Sequence, residues 1–284
     1  MKKRDYFGGW YFKCQNGEKT LAVIPAFHRT RGEPSCSIQI ITDSGAFCAV
    51  FPADEWKRNA DGFADIGRNR FRKSGMELDI CEEGFTVRGK VVFGTFTPIK
   101  YDIMGPFSAI PFMECRHTVI SMYHGVVGEI TLNGEKFVFE NGKGYIEGDS
   151  GYSFPKVYAW THCFVEKGSV MLSVAEIPFG FFRFTGVIGV AYIDGAEHRI
   201  ATYLGARAKS IKGGAVDVKQ GKTRFFARLV SKRDHPLFAP ASGAMTRTIR
   251  ESASCSARYV FEKDGKTLLD ESSDLASFEY EFNE

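Results

Sequence analysis

Apolar and polar side chains alternate with a period of two along most of this 284-residue chain, and the segment Met76 to Ile80 is one example. This period places apolar side chains on one face of an extended strand and polar side chains on the other, whereas a helix needs a period of 3.6. The alternation therefore predicts an all-β, mostly antiparallel protein. Only the short stretch Ala53 to Ala60 has a helical pattern.

Three pairs of turn residues separate short segments of this kind: Asn133-Gly134, Gln220-Gly221 and Asp264-Gly265. Asn-Gly and Asp-Gly readily adopt the positive φ angles that tight hairpin turns require. Each pair therefore predicts a β-hairpin.

The aromatic share of 14%, with 26 Phe, predicts large apolar surfaces that are buried in a core, a ligand cavity or both. The net charge is only +3 and the basic residues are scattered, which argues against nucleic acid as a partner. No apolar run reaches the ~20 residues of a membrane-spanning helix, which leaves peripheral membrane contact open. The oligomeric state is not indicated.

The seven cysteines are odd in number, contain no CxxC pair and follow no recognisable export signal, so we expect reduced thiols and a cytoplasmic location. The six histidines lack the spacings of zinc sites. We therefore expect no metal.

A weak internal repeat predicts two similar halves. Trp10 precedes Pro25 in an Ile-Pro-Ala-Phe stretch, and Trp160 precedes Pro178 in an Ile-Pro-Phe stretch. A duplication predicts β domains at residues 1–150 and 151–284, and closing each into a barrel would remove exposed strand edges. Chance similarity between two β-rich halves is the alternative.

Two motifs carry a family resemblance: the GWYFK sequence of residues 9–13 and the GYIEGDSGYSFP sequence of residues 144–155, followed by Trp160. With the blocks at residues 104–115 and 245–280, they resemble the tocopherol cyclase family. Its members show a GWYFK element and a GYIE-x-DWG-x-SFP element in this order. Three positions depart from that pattern, namely Gly8, Ser150 and Tyr152.

The resemblance implies two lipocalin-like antiparallel β-barrel or sandwich domains packed together, related to carotenoid hydratases. It implies an intramolecular lyase or isomerase that needs no cofactor and acts on a hydrophobic, prenylated or other isoprenoid small molecule. Family members with known activity add a phenol oxygen across a prenyl double bond to close a chromanol ring.

Such a reaction needs an acid to protonate carbon, a water-poor cavity and a group to accept the phenol proton. Glu147 and Asp149 are two positions apart, so on one strand both face the same side, and this proximity would push one of the two pKa values upward. We expect them to supply the acid chemistry. The alternative is that they cap a turn and pair with Lys143 or Lys156, because glycines flank them.

A second polar cluster, Glu114 with Arg116 and His117, follows an apolar run, and His117 is a candidate acceptor for the phenol proton. A half-buried structural histidine is the alternative. Aromatic residues of the two motifs are candidate substrate contacts, or else ordinary core residues. They are Trp10, Tyr11, Tyr145, Tyr152, Tyr158 and Trp160.

Residues 148–151, Gly-Asp-Ser-Gly, match the nucleophile loop of trypsin-like proteases, which are also double barrels. The context excludes this class, because Ser150 lies at the middle of the chain and His28 does not follow an Ala-Ala pair. Three hypotheses remain. The first is a cyclase-like or hydratase-like enzyme, the second a non-catalytic binding protein for a hydrophobic ligand, and the third a structural β protein without a cavity.

Overall fold

The computed structural model describes residues 5–111, 113–179, 182–232, 235–241 and 243–282. Strands dominate these residues, and the helical turns among them are three short 3-10 turns at Ala53–Glu55, Gly105–Ala109 and Thr202–Leu204. In this part of the chain no helix is long and apolar enough to cross a membrane.

The strands of the first sheet are β1 (Tyr6–Gln15), β2 (Thr20–Thr30), β3 (Glu33–Thr42), β4 (Ala46–Pro52), β5 (Trp56–Arg58), β6 (Ala64–Ile66), β7 (Asn69–Arg72), β8 (Gly75–Glu82), β9 (Phe85–Phe93), β10 (Cys115–Leu132) and β11 (Glu135–Gly151). Those of the second sheet are β12 (Tyr158–Val165), β13 (Gly168–Phe179), β14 (Phe182–Ile193), β15 (Ala196–Ala201), β16 (Arg207–Lys212), β17 (Ala215–Gln220), β18 (Thr223–Ser231), β19 (His235–Ala241), β20 (Ala244–Lys263) and β21 (Lys266–Tyr280).

The two sheets share one strand order. The first runs β4-β3-β2-β1-β11-β10-β9-β8-β7-β6-β5, and the second runs β15-β14-β13-β12-β21-β20-β18-β17-β16, with β19 paired to β20. In both sheets the first four strands form a meander. The first strand of this meander pairs with the strand that comes last in the sequence of its sheet, so that β1 pairs with β11 and β12 with β21. This common order supports the proposed duplication.

The chain forms two compact units. The first comprises the described residues of Met1–Pro98, Val119–Ser153 and Phe238–Arg247, and the second those of Ile99–Thr118, Phe154–Leu237 and Thr248–Glu284. A domain boundary at residue 150 stays a prediction.

Closure of either sheet into a barrel is a wrong prediction. The path of the first sheet ends at β4 and β5, which do not pair with each other among the described residues, and β5 is only three residues long. The sheet instead bends over its own core, so that Phe12 on β1 lies 5.3 Å from Phe71 on β7 between ring centroids, and Phe47 on β4 lies 5.3 Å from Phe85 on β9. The predicted sandwich fits this arrangement.

Apolar side chains occupy the interior of each sandwich. The first core includes Phe12, Phe71, Phe137 and Ile146, all nearly or fully buried. The second core is built in the same way around residues such as Phe261. Much of the phenylalanine that sets this composition apart therefore belongs to packed cores.

The predicted hairpins are confirmed. Asn133 and Gly134 join β10 to β11 with φ of 50° and 84°, and Asp264 and Gly265 join β20 to β21 with φ of 51° and 77°. Gly221, with φ of 55°, lies in the turn between β17 and β18. The helical pattern at Ala53–Ala60 is wrong beyond Glu55, because Trp56 starts β5, which pairs with β6.

Arg199 fixes the segment that leads towards Glu114 and His117 in the second unit. Its guanidinium stacks on the Tyr101 ring at 3.6 Å from the centroid and donates hydrogen bonds of 2.7 Å to the carbonyls of Tyr101 and Asp102. Glu197 accepts a further bond of 2.9 Å, and both charged side chains are almost fully buried. This segment is therefore anchored to the second sheet.

Candidate active site

A buried tyrosine–glutamate pair lies at the middle of β11. The Tyr145 hydroxyl donates a hydrogen bond of 2.5 Å to Glu147 Oε2, and the exposed fractions of the two residues are 0% and 4%. Ile146, between them, belongs to the apolar core of the first unit. Because neighbouring side chains of a strand point to opposite faces, Tyr145 and Glu147 lie on the face directed away from that core.

Asp149 extends the same row and is half-buried. The pKa of Tyr145 is raised well above its ordinary value, first by burial and then by the negative charges of Glu147 and Asp149 and by the Tyr11 phenol. The Tyr145 hydroxyl therefore stays protonated and remains a hydrogen-bond donor. The predicted turn is absent at these positions, since β11 continues to Gly151.

Strand β1 adds two buried side chains to this face. Tyr11 lies opposite Glu147, and Lys13 lies opposite Tyr145 in the antiparallel register. Their exposed fractions are 8% and 0%. Trp10 points to the other face, where it stacks on Trp56 with ring centroids 5.7 Å apart. Trp10 and Tyr11, which are adjacent in the GWYFK motif, therefore point to opposite faces of the sheet.

Glycine permits the close strand approach beside Asp149. A Cβ atom at Gly148 would lie 2.9 Å from Trp10 Cδ1 and 3.0 Å from the Gly9 carbonyl oxygen. The first contact is closer than real Cβ atoms show, and the second would require the neighbouring strand to shift by a few tenths of an ångström. Gly148 therefore allows β1 to approach β11 closely within a strand rather than in a turn.

The other predicted site residues are distributed between the two units. Tyr152, just after β11, is 42% exposed. In the second unit Tyr158 and Trp160 lie buried on β12, His117 is buried near the start of β10, and Glu114 is half-buried just before it. The first unit thus assembles Tyr11, Tyr145, Glu147 and Asp149 in one place.

The second unit holds a pair of carboxylates that sequence reasoning missed. The Tyr158 hydroxyl donates a hydrogen bond to Glu279 Oε2, and Trp160 lies opposite Glu279 in the strand register. Glu251 on β20 lies opposite Glu279 on its other side, and both glutamates are buried. The internal repeat was the available signal, because each half closes on an aromatic-rich strand that contains Glu.

The face in the first unit has the groups that proton transfer requires. Glu147 and Asp149 are able to carry or accept a proton, and Tyr145 is a fixed hydrogen-bond donor. Because Glu147 is buried, its interactions are stronger than they would be in water.

No family model matches the chain. One curated relative, the probable chloroplastic tocopherol cyclase of Oryza sativa subsp. japonica, is 34% identical over 150 residues, which cover 50% of this chain and 31% of that protein. The chain resembles a tocopherol cyclase. This match spans about a third of the relative's own length. The resemblance predicted from the motifs is confirmed.

Solved structures show the same fold at low sequence identity. CghA, crystallised with Sch210972, superposes with a TM-score of 0.60 at 9% identity, covering 98% of this chain and 89% of that chain. Kievitone hydratase from Nectria haematococca gives 0.57 at 9% identity with the same coverage. An AttH protein from Nitrosomonas europaea gives 0.54 at 10% identity and covers 99% and 93%.

Proposed function

We propose that this protein is a cyclase-like or hydratase-like enzyme that adds an O–H group across a carbon–carbon double bond of a hydrophobic, isoprenoid small molecule, without a cofactor. The observation that carries the proposal is the buried Tyr145–Glu147 pair with Asp149 on one strand face. The likeness to a tocopherol cyclase and the fold shared with kievitone hydratase support this class of chemistry.

The proposed reaction combines two proton transfers with the formation of one C–O bond. An acid protonates one alkene carbon, the oxygen of a phenol or of water bonds to the resulting cation, and that oxygen loses its proton to a base. The two carboxyl groups, Glu147 and Asp149, provide this acid and base, with Glu114 and His117 as further candidates for proton transfer. Tyr11, which lies opposite Glu147 in the strand register, is the aromatic candidate for contact with the substrate.

Turnover of prenylated quinols and polyenes, followed by chromatography and mass spectrometry, tests the proposal. Cyclisation gives a product of unchanged mass and new retention time, and hydration adds one water. We expect Glu147→Gln and Asp149→Asn to lower turnover by about 10²- to 10⁴-fold, the usual contribution of acid–base catalysis. Glu140→Gln, at an exposed position of the same strand, is the matched control.

The second candidate is a binding protein for a hydrophobic ligand, which the departures at Gly8, Ser150 and Tyr152 from the family pattern favour. It predicts that the same compounds are recovered unchanged from the protein, and that neither substitution alters their retention. A chain that retains no apolar compound and converts none would contradict both candidates.

A further inference from the structure

Lys13 is a fully buried charged residue that the acid–base scheme above leaves without a role. It lies on β1 at 0% exposure, opposite Tyr145 on β11 and opposite Ala22 on β2. Its neighbours Phe12 and Cys14 belong to the apolar core, so alternation places Lys13 on the same face as Glu147.

The strand register limits the anions that Lys13 can meet on this face. Along β1, β2, β3 and β11, the buried or half-buried acidic side chains of the face are Glu147 and Asp149, both on β11, whereas Glu33 at the start of β3 and Glu140 on β11 are exposed. The other titratable side chains of the face on these strands are Tyr11, His28, Lys143 and Tyr145. Glu147 is therefore the nearest acid to Lys13 in the register.

The two side chains are diagonal neighbours. Glu147 follows the direct partner Tyr145 by two positions, a separation of about 7 to 8 Å between neighbouring strands that a lysine side chain spans. A buried ammonium group is strongly unfavourable unless it is paired. The Tyr145 hydroxyl already donates to Glu147 Oε2, which also favours the carboxylate form.

We propose that Lys13 is a positioning residue that keeps Glu147 ionised. Glu147 is then the base, which takes the proton from the attacking phenol or water oxygen as the C–O bond forms. Asp149 is the acid, which delivers its proton to the alkene carbon and recovers a proton when Glu147 releases the one that it has taken, so the proton count balances. This division of roles rests on the proposed function, whereas the ionisation state of Glu147 does not.

Infrared difference spectra at pH 7 test the ionisation state without any substrate. We expect that the wild-type spectrum contains no protonated-carboxyl band that disappears in the Glu147→Gln variant. Lys13→Met, a neutral side chain of similar length, is expected to create such a band, and the double variant Lys13→Met with Glu147→Gln to lack it. Lys13→Arg keeps the charge and should resemble wild type, as should the control Lys143→Met.

A Glu147-dependent protonated band in wild type would overturn the inference, even if Lys13→Met does not fold. A folded Lys13→Met protein without the new band would overturn it as well. If no tested compound is converted, the proposed function fails while this spectral comparison still decides the role of Lys13.

Where turnover is measurable, a second readout separates positioning from general destabilisation. Lys13→Met is expected to lower kcat about tenfold or more, because the base is then protonated in most molecules, while KM changes by less than about threefold. Lys13→Arg should restore most of kcat. A loss that appears only in KM, or that Lys13→Arg does not recover, would contradict the assignment.

Discussion

Each unit buries a glutamate that accepts a tyrosine hydrogen bond, but Tyr145 lies on the same strand as Glu147, whereas Tyr158 lies on β12, beside the strand of Glu279. In the first unit Glu147 has Tyr11 opposite it and Lys13 one step along the register. In the second unit Glu279 has Trp160 on one side and a second glutamate, Glu251, on the other. The shared strand order reproduces the scaffold, and the flanking residues decide the charge around each carboxylate.

The largest expected effect distinguishes these two carboxylates by turnover. Glu147→Gln should lower kcat by about 10²- to 10⁴-fold. Glu279→Gln should lower it less than about tenfold, because the amide oxygen still accepts the Tyr158 hydrogen bond and the like charge facing Glu251 is removed. Steady-state kinetics of both variants checks this, and equal losses would show that the units do not differ in function as proposed.

Among the described residues each unit buries two histidines, His28 and His124 in the first and His117 and His162 in the second. In the first, burial lowers the pKa of His28 to about 4 and that of His124 to about 3. His28 Nε2 lies 2.9 Å from Ser37 Oγ, within hydrogen-bond distance. The centroid of the His124 ring lies 4.8 Å from that of Phe93 and 4.7 Å from that of Phe96. In the second unit the pKa of the half-buried His198 is also lowered, first by partial burial.

These shifts predict an acid-sensitive first unit. The pKa values of these histidines are lower in the folded protein than in the unfolded chain, so the unfolded chain binds protons at a higher pH. The stability of the folded protein is therefore complete above pH 7 and is lost as the pH falls. At pH 5, each of His28 and His124 should lower the free energy of unfolding by about 2 kcal/mol relative to its value above pH 7. Urea unfolding of wild type and His124→Gln between pH 7.5 and 5 measures this.

His124→Gln should reduce the pH dependence by about 2 kcal/mol. His198→Gln, in the second unit, is the comparison and should reduce it less. An unchanged slope in His124→Gln would show that the ring is solvated in the folded protein.

The sequence predicted the parts of the fold that depend on local pattern. Alternation identifies strands, and Asn133-Gly134 and Asp264-Gly265 define hairpins, because a turn depends on the φ preferences of two residues. Barrel closure depends on whether β4 and β5 pair, and no local pattern encodes the pairing of two sheet edges.

The candidate site was predictable only along one strand. Spacing alone placed Glu147 and Asp149 on a common face, as β11 confirms. The sequence analysis predicted both Trp10 and Tyr11 as candidate substrate contacts, but these two residues point to opposite faces of the sheet. Lys13 escaped notice because its importance comes from the register between β1 and β11, which pairs residues more than 130 positions apart.

The smallest expected effect compares corresponding hairpin turns of the two units. Asn133 and Asp264 both adopt φ near 50°, a conformation that costs other non-glycine residues about 1 kcal/mol. Asn133 Oδ1 also accepts a hydrogen bond of 2.8 Å from the Thr86 amide, worth about 1 kcal/mol. Asn133→Ala should therefore cost about 2 kcal/mol and Asp264→Ala about 1 kcal/mol in urea unfolding.

Glycine variants separate the two contributions. Asn133→Gly keeps the backbone conformation and loses only the bond to Thr86, so about 1 kcal/mol should remain, while Asp264→Gly should be nearly neutral. If Asn133→Gly were also neutral, the contact to β9 would add nothing to the turn. The two hairpins would then be energetically equivalent, and the difference between the units would lie in the buried faces of β1, β11, β12 and β21.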